Sequence, residues 1–238
     1  MKVASDLSEA PATAFRARDL SRRYGQKWAL AHLDLTASRG EVLLIAGPNG
    51  SGKTTFLRLL AGLLRPTSGE LELFGKNLAS DPFGWRRNVS LLSHASYLYD
   101  PLSALETLRL WARLLGRSTD EGDLRARLAE VGLEHDAENL VSGFSAGMQK
   151  RLTFARVRLE DSALVLLDEP FAALDPAGQE LVTEWIAADR KAGKTVVIAS
   201  HNLERAARIA DNAALLSRGQ MSWQGPAREL PGVLARVS

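Results

Sequence analysis

The stretch Gly47–Thr54, GPNGSGKT, follows directly on the apolar run Val42–Ala46 and constrains the chain more than any other. It fits G-x-x-x-x-G-K-[ST], a loop that cradles phosphate. Gly47, Gly50 and Gly52 allow positive φ and turn successive N–H groups inward, and the N-terminus of a following helix adds partial positive charge. An anionic phosphate is the natural guest. Lys53 offers a point charge to β- and γ-phosphates, and the Thr54 hydroxyl is a hard oxygen ligand suited to Mg²⁺. The context agrees: Val42–Ala46 reads as a buried strand and Lys53–Leu64 as a helix stopped by Pro66.

With 238 residues, 45% of them hydrophobic, the chain can bury a full core and reads as one large domain or a core with a subdomain. The formal net charge of +2 is small and Lys and Arg are dispersed, so no nucleic-acid partner is expected. No apolar run approaches the ~18 residues of a membrane span. Residues 1–14 carry Asp6 and Glu9 without a hydrophobic stretch and read as a disordered leader, not a signal peptide, so a cytoplasmic location is expected. Without Cys there are no disulfides and no thiolate metal sites.

Phe15–Thr36 alternates in pieces, Leu33 and Leu35 against His32 and Asp34, as in a half-buried antiparallel sheet. Tyr24, just before Gly25, is placed to stack on a nucleotide base, with packing in a strand as the alternative and Trp28 as a rival stacker. Short strands are expected at Glu70–Phe74 and Val89–Leu92, with a turn of helix over Asp81–Asn88. Ser103 and Glu106 form a capping box for a helix to Leu115, and Asp120–Val131 reads as a second helix. Residues 97–161 therefore read as a helical insertion between strand-rich halves. Its last helix starts at Ser145 in FSAGMQKRL, a good N-cap at a second anion-competent helix start.

Leu164–Leu167 is a pure apolar run that delivers Asp168 and Glu169 at its C-terminal end, where an open parallel sheet places ligand chemistry. Asp168 fits an indirect Mg²⁺ ligand, and Glu169 a base that orients water for attack on a γ-phosphate. Asp175 and Pro176 read as N-cap and first residue of a helix to about Lys191. The apolar strand Thr195–Ser200 ends at His201, whose imidazole is placed to hydrogen-bond a γ-phosphate. Asn202–Asp211 reads as helical and Ala213–Trp223 as a closing hairpin turned at Arg218 and Gly219.

Taken together, these stretches resemble the nucleotide-binding subunit of ATP-binding cassette transporters from about Phe15 onward. GPNGSGKT is similar to the Walker A motif, FSAGM with Gln149 and Arg151 to the family signature, LVLLDEP to Walker B, Ala173–Asp175 to the D-loop, and His201 to the switch histidine. The resemblance implies an α/β fold for residues 15–238: a RecA-like P-loop NTPase core, an N-terminal antiparallel β subdomain and an inserted α-helical subdomain. It also implies ATP and Mg²⁺ as cofactors and adds Asn49, Ser51, Thr55 and Asp175 to the nucleotide-binding set. In the family two subunits dimerise head to tail, so the resemblance implies a homodimer or heterodimer in which Ser145 and Gly147 reach the partner's nucleotide. An integral membrane subunit is the further partner implied, placing the chain peripherally on the cytoplasmic side of the inner membrane.

Two departures stand out. The usual L-S-G-G-Q reads Phe144, Ser145, Ala146, Gly147 and Met148, which keeps the serine and second glycine. VSLLSH ends in His94 where the family has a glutamine, and imidazole suits Mg²⁺ less well than an amide oxygen. With LSALETLRLWARLLG and DEPFAALDPAG, that histidine is similar to the ATPase of the bacterial haem-handling exporter used in cytochrome c maturation. A drug, lipid or polysaccharide exporter is the alternative.

Overall fold

A computed structural model describes residues 13–93 and 97–237. The leader through Ala12, and His94 with its two successors, lie outside the described residues. Among the described residues the strands are β1 Thr13–Tyr24, β2 Lys27–Ser38, β3 Val42–Ala46, β4 Ser68–Leu73, β5 Lys76–Asn77, β6 Val89–Leu92, β7 Leu164–Asp168, β8 Thr195–Ser200, β9 Asn212–Ser217 and β10 Gln220–Pro226. The α-helices among them are α1 Lys53–Leu60, α2 Pro82–Arg86, α3 Ala104–Leu115, α4 Glu121–Glu130, α5 Ala146–Glu160, α6 Pro176–Lys191, α7 Leu203–Ile209 and α8 Leu230–Val237.

The strands form two sheets. One has four antiparallel strands in the order β2-β1-β4-β5, and the other six strands in the order β10-β9-β3-β8-β7-β6. In the second sheet β3 pairs in parallel with β8 and β9, and β7 in parallel with β6 and β8, while β10 returns antiparallel on β9. Strands that are apolar at every position, VLLIA and LVLL, suit a sheet covered on both faces.

Alternation along β3 sorts its side chains to the two faces. Leu43 and Ile45 join a core shared by α1 and the antiparallel sheet, with Phe15, Leu33, Phe56 and Leu60. Val42, Leu44 and Ala46 join a core on the opposite face with Val182 and Ile186 of α6. A third cluster holds α3, α4 and α5 together through Leu108, Leu128, Val131, Leu152 and Ala155. Helix α5 takes part in two of the three, because Phe154 and Val157 pack under the parallel sheet and Leu152, Ala155 and Leu159 into the helical cluster.

Several boundaries depart from the sequence reading. Strand β1 begins at Thr13, inside the stretch read as leader, because Ala14 and Phe15 are fully buried. Helix α1 ends at Leu60, not at Leu64 before Pro66. Gly62 takes φ 64°, its N–H donates to the Leu59 carbonyl and that of Leu63 to the Arg58 carbonyl. This Schellman closure stops the helix six residues before the proline. Asn202, Ala210 and Asp211 fall outside the helix read over Asn202–Asp211, Asn212 opens β9, and α8 has no counterpart in the sequence reading. The turn at Arg218–Gly219 and the caps Ser103, Ser145 and Asp175 fall where the sequence puts them.

Candidate functional site

The site sits beyond the carboxyl ends of three adjacent strands. Register sets Ala46 of β3 beside Ser200 of β8, and Asp168 of β7 beside Ala199. The loop after each strand therefore opens on one place: Gly47–Gly52 after β3, Glu169 after β7, His201 after β8. They line one cavity of about 560 Å³ together with Tyr24, Lys27 and Trp28 from the β1–β2 hairpin and with Asn49, Gly50, Thr54 and Thr55.

The glycine loop holds its shape through close backbone approach. Gly47 has φ 145°, and a Cβ on it would lie 2.3 Å from the Leu216 carbonyl oxygen. Only glycine fits. Helix α1 then starts at Gly52 with no capping side chain and no acid in its first turn. By contrast α3, α4, α5 and α6 each have a side-chain cap. The free N–H groups of α1 are thus left facing the cavity, which is the arrangement that takes a phosphate. The Ser51 hydroxyl is buried beneath the loop without a hydrogen-bond partner among the described residues.

Lys53 is buried, and its Nζ donates to the carbonyls of Gly47 (2.7 Å) and Pro48 (3.0 Å). Burial lowers its pKa, against the opposing charges of Glu169 and Asp168. Asp168 is pushed up, chiefly by burial, while the Thr54 hydroxyl, donating to Oδ2 at 2.8 Å, pulls the other way. A carboxylate whose charge is raised in energy by burial, next to a hydroxyl oxygen, is a hard-oxygen pair that fits Mg²⁺. Among the described residues no group of three or more His, Asp or Glu is placed to hold a metal by itself. Mg²⁺ would accordingly be held by Thr54 and Asp168 together with the phosphates of the nucleotide, where it supplies charge neutralisation.

Glu169 is held on every side. His201 donates its N–H to Oε1 (2.9 Å) and brings Nδ1 within 2.7 Å of the same oxygen, and the Ser200 hydroxyl donates to Oε2 at 3.0 Å. Its own N–H donates to the Ala199 carbonyl, and its carbonyl accepts from Lys150 Nζ at 3.0 Å. The residue is left-handed, φ 49°, a backbone state that persists only when surroundings enforce it. Lys150 is pushed down to about 8 by burial, against the charges of Asp168 and Glu169.

The structure therefore brings Lys53, Thr54, Asp168, Glu169 and His201 together. Tyr24 and Trp28 also reach the cavity, 44% and 45% exposed, each carrying an arginine on its ring, Arg22 and Arg23 respectively. Ser145, Gly147 and Asp175 do not line it. Ser145 accepts from the Met148 N–H, and Asp175 caps α6 through Gly178 while pairing with Arg151 at 2.8 Å. Arg151 and that cap hold the Asp175 carboxyl below its usual range.

Lys27 in the cavity lining, and Lys150 and Ser200 behind Glu169, escape the sequence reading. A polar residue closing the apolar strand TVVIAS signals Ser200. Nothing in the spacing of FSAGMQKRL tells that Lys150 turns back on Glu169.

Fold and site together define a P-loop nucleoside triphosphatase. Residues 30–172 match the family model described as ABC transporter, and the chain belongs to that family as an ATP-binding ATPase subunit. It is 32% identical to the bacitracin transport ATP-binding protein BcrA of Bacillus licheniformis, over 90% of this chain and 70% of that protein. It is 35% identical to the thiamine import ATP-binding protein ThiQ of Escherichia coli (strain K12), over 85% of this chain and 90% of that one. Among solved structures, an ATP-binding subunit of an ABC transporter superimposes with a TM-score of 0.84 at 28% identity, covering 94% of each chain. The ATP-binding cassette MJ0796, a dimer bound to ADP and Pi in a post-hydrolysis state, gives 0.80 at 25% identity over 90% of this chain and 99% of that one. The chain is also 34% identical to the Nod factor export ATP-binding protein I of Cupriavidus metallidurans, over 90% of this chain and 71% of that protein, so that an import and an export protein both occur among these relatives. No helix among the described residues is long and apolar enough to cross a membrane.

Proposed function

We propose that two copies of this chain, or this chain and a similar one, close head to tail on two ATP molecules and reopen on hydrolysis, driving an integral membrane subunit. The observation that carries this reading is the separation of two anion-competent helix starts in one chain. Helix α1 opens on the cavity, whereas Ser145 and Gly147 at the start of α5 do not line it. A second copy supplies the missing side. The phosphates lie on Gly47–Thr55 with Asn49, Ser51 and Lys53, Mg²⁺ on Thr54 and Asp168, and the base on Tyr24, with Trp28 on the other side of the hairpin.

Glu169 takes the proton of the attacking water. Its Oε1 faces His201, so the imidazole orients the carboxylate until a γ-phosphate draws His201 away. The reading puts the membrane partner at the helical part, which the exposed Tyr97, Tyr99, Leu114 and Leu140 support. This puts the chain on the cytoplasmic face of the inner membrane.

For the cargo, His94 and the stretches LSALETLRLWARLLG and DEPFAALDPAG support haem export in cytochrome c maturation. Deleting the gene then stops haem attachment to c-type cytochromes, and intact cytochromes would point to another exported cargo.

The dimer is tested by sedimentation. With MgATP, Glu169→Gln should sediment as a dimer, and adding Ser145→Arg should return it to a monomer that still binds nucleotide. A dimer that survives Ser145→Arg would refute the contribution in trans.

A further inference from the structure

The first two turns of α5 are fastened to the segment that follows β7, and the fastening runs to the peptide of Glu169 itself. Lys150 donates to the Glu169 carbonyl at 3.0 Å and Arg151 to Asp175 Oδ1 at 2.8 Å, and a Cβ on Gly147 would lie 3.1 Å from the Ala173 carbonyl oxygen. Two residues of this segment, Glu169 and Ala173, take left-handed φ values of 49° and 62°. The Glu169 N–H is already committed to Ala199 of β8. Its N–H and its C=O, which belong to successive peptides, are therefore tied to the parallel sheet and to α5 respectively; the carbonyl also accepts from the Ala172 N–H at 3.2 Å, and the ammonium is the tie on the helix side. Partial burial of Lys150, which lowers its pKa to about 8, is offset by the charges of Asp168 and Glu169 beside it.

We infer that Lys150 is a positioning residue for ATP hydrolysis: it holds the Glu169 peptide from the signature helix, so that the start of α5 and the hydrolytic carboxylate move as one body. The consequence concerns communication. A nucleotide that engages Ser145 and Gly147 displaces the same turns of α5 that carry Lys150, and so adjusts the geometry of Glu169 in the chain that donates the signature rather than in the chain that holds that nucleotide. Each site then reads the occupancy of the other. The inference rests on the role given to Glu169 and on the contribution of α5 in trans.

The test is a double-mutant cycle on the full chain, with turnover, affinity for a fluorescent ATP analogue and thermal midpoint measured in parallel. Lys150→Met keeps the aliphatic stem and removes the donor. It should lower kcat about tenfold while KM and analogue affinity stay within about twofold, and Lys150→Arg should restore most of the rate. In the Glu169→Gln background, Lys150→Met should change the residual turnover less than about twofold, because the group it positions is already gone. Unchanged kcat in Lys150→Met, or a tenfold loss that persists on top of Glu169→Gln, overturns the inference. So does a loss of rate matched by equal losses in affinity and midpoint, which marks a strut and not a positioning group. Full turnover in Glu169→Gln alone would instead remove the base, a failure of the earlier reading visible before Lys150 is touched.

Discussion

Arg156 and Glu160, one turn apart on α5, form an ion pair at 2.9 Å with only 8% and 13% of their side chains exposed. The guanidinium also donates to the Leu91 carbonyl of β6 and lies 4.7 Å from the centre of the Trp111 ring of α3, so one side chain joins strand, signature helix and helical cluster. Burial pushes the Glu160 carboxyl up, against the pull of Arg156. Replacing Arg156 by Met fills the space of the stem but leaves Glu160 charged in a dry place, a change that costs about 3–5 kcal/mol. For a domain of this size that lowers the melting temperature on the order of 10 °C.

Removing both charges in Arg156→Met/Glu160→Leu should return the protein to within about 1 kcal/mol of wild type, since a buried pair replaced by apolar groups of similar volume is near neutral. The deficit of the single variant should also depend on pH. Glu160 has a folded pKa above its unfolded value, so the stability its proton contributes is present at low pH and lost as pH rises through the folded pKa. The deficit is therefore largest near pH 8 and shrinks toward pH 5. Calorimetry or urea melts of the three variants at both pH values decide it. If the double variant is no more stable than Arg156→Met, the loss comes from packing on Trp111 and Leu91 and the electrostatic account is refuted.

The remaining predictions concern the nucleotide. Lys53→Ala should abolish binding or turnover, checked by fluorescent-nucleotide titration and phosphate release, and retained activity would remove the phosphate loop from the mechanism. Gly47→Ala should weaken nucleotide binding at least about tenfold, because its Cβ would overlap the Leu216 carbonyl oxygen; normal affinity would mean that the loop takes another shape when loaded. Thr54→Val should bind ATP in a chelating buffer as wild type does yet need about tenfold more Mg²⁺ for turnover, and an unchanged Mg²⁺ requirement would exclude its hydroxyl as a ligand.

Much of this architecture is legible in the sequence where one physical cause acts alone. Apolar runs mark β3, β7 and β8 because a sheet covered on both faces confines polar side chains in these strands to their ends, as at Asp168, Thr195 and Ser200. Local caps mark the starts of α3, α5 and α6 because Ser103, Ser145 and Asp175 each bond to an N–H three residues on. Where two causes compete the reading slips, as at the end of α1, where Gly62 acts before Pro66 does. Long-range contacts are hidden altogether. That Lys150 meets Glu169, and that His201 closes on its carboxylate, follows from how α5 and β8 are placed in space, which no spacing along the chain records.

Helix α5 has consequences for how this protein divides. Since Phe154 and Val157 belong to the sheet and Leu152, Ala155 and Leu159 to the helical cluster, any border between the two parts runs lengthwise along this helix instead of through a loop. Cutting the chain before α5 strips the helical part of its floor, and cutting after it carries away the cover of β7. The two parts are thus halves of a single joint, and a polar substitution on nearly any face of its middle turns would be felt on both sides at once.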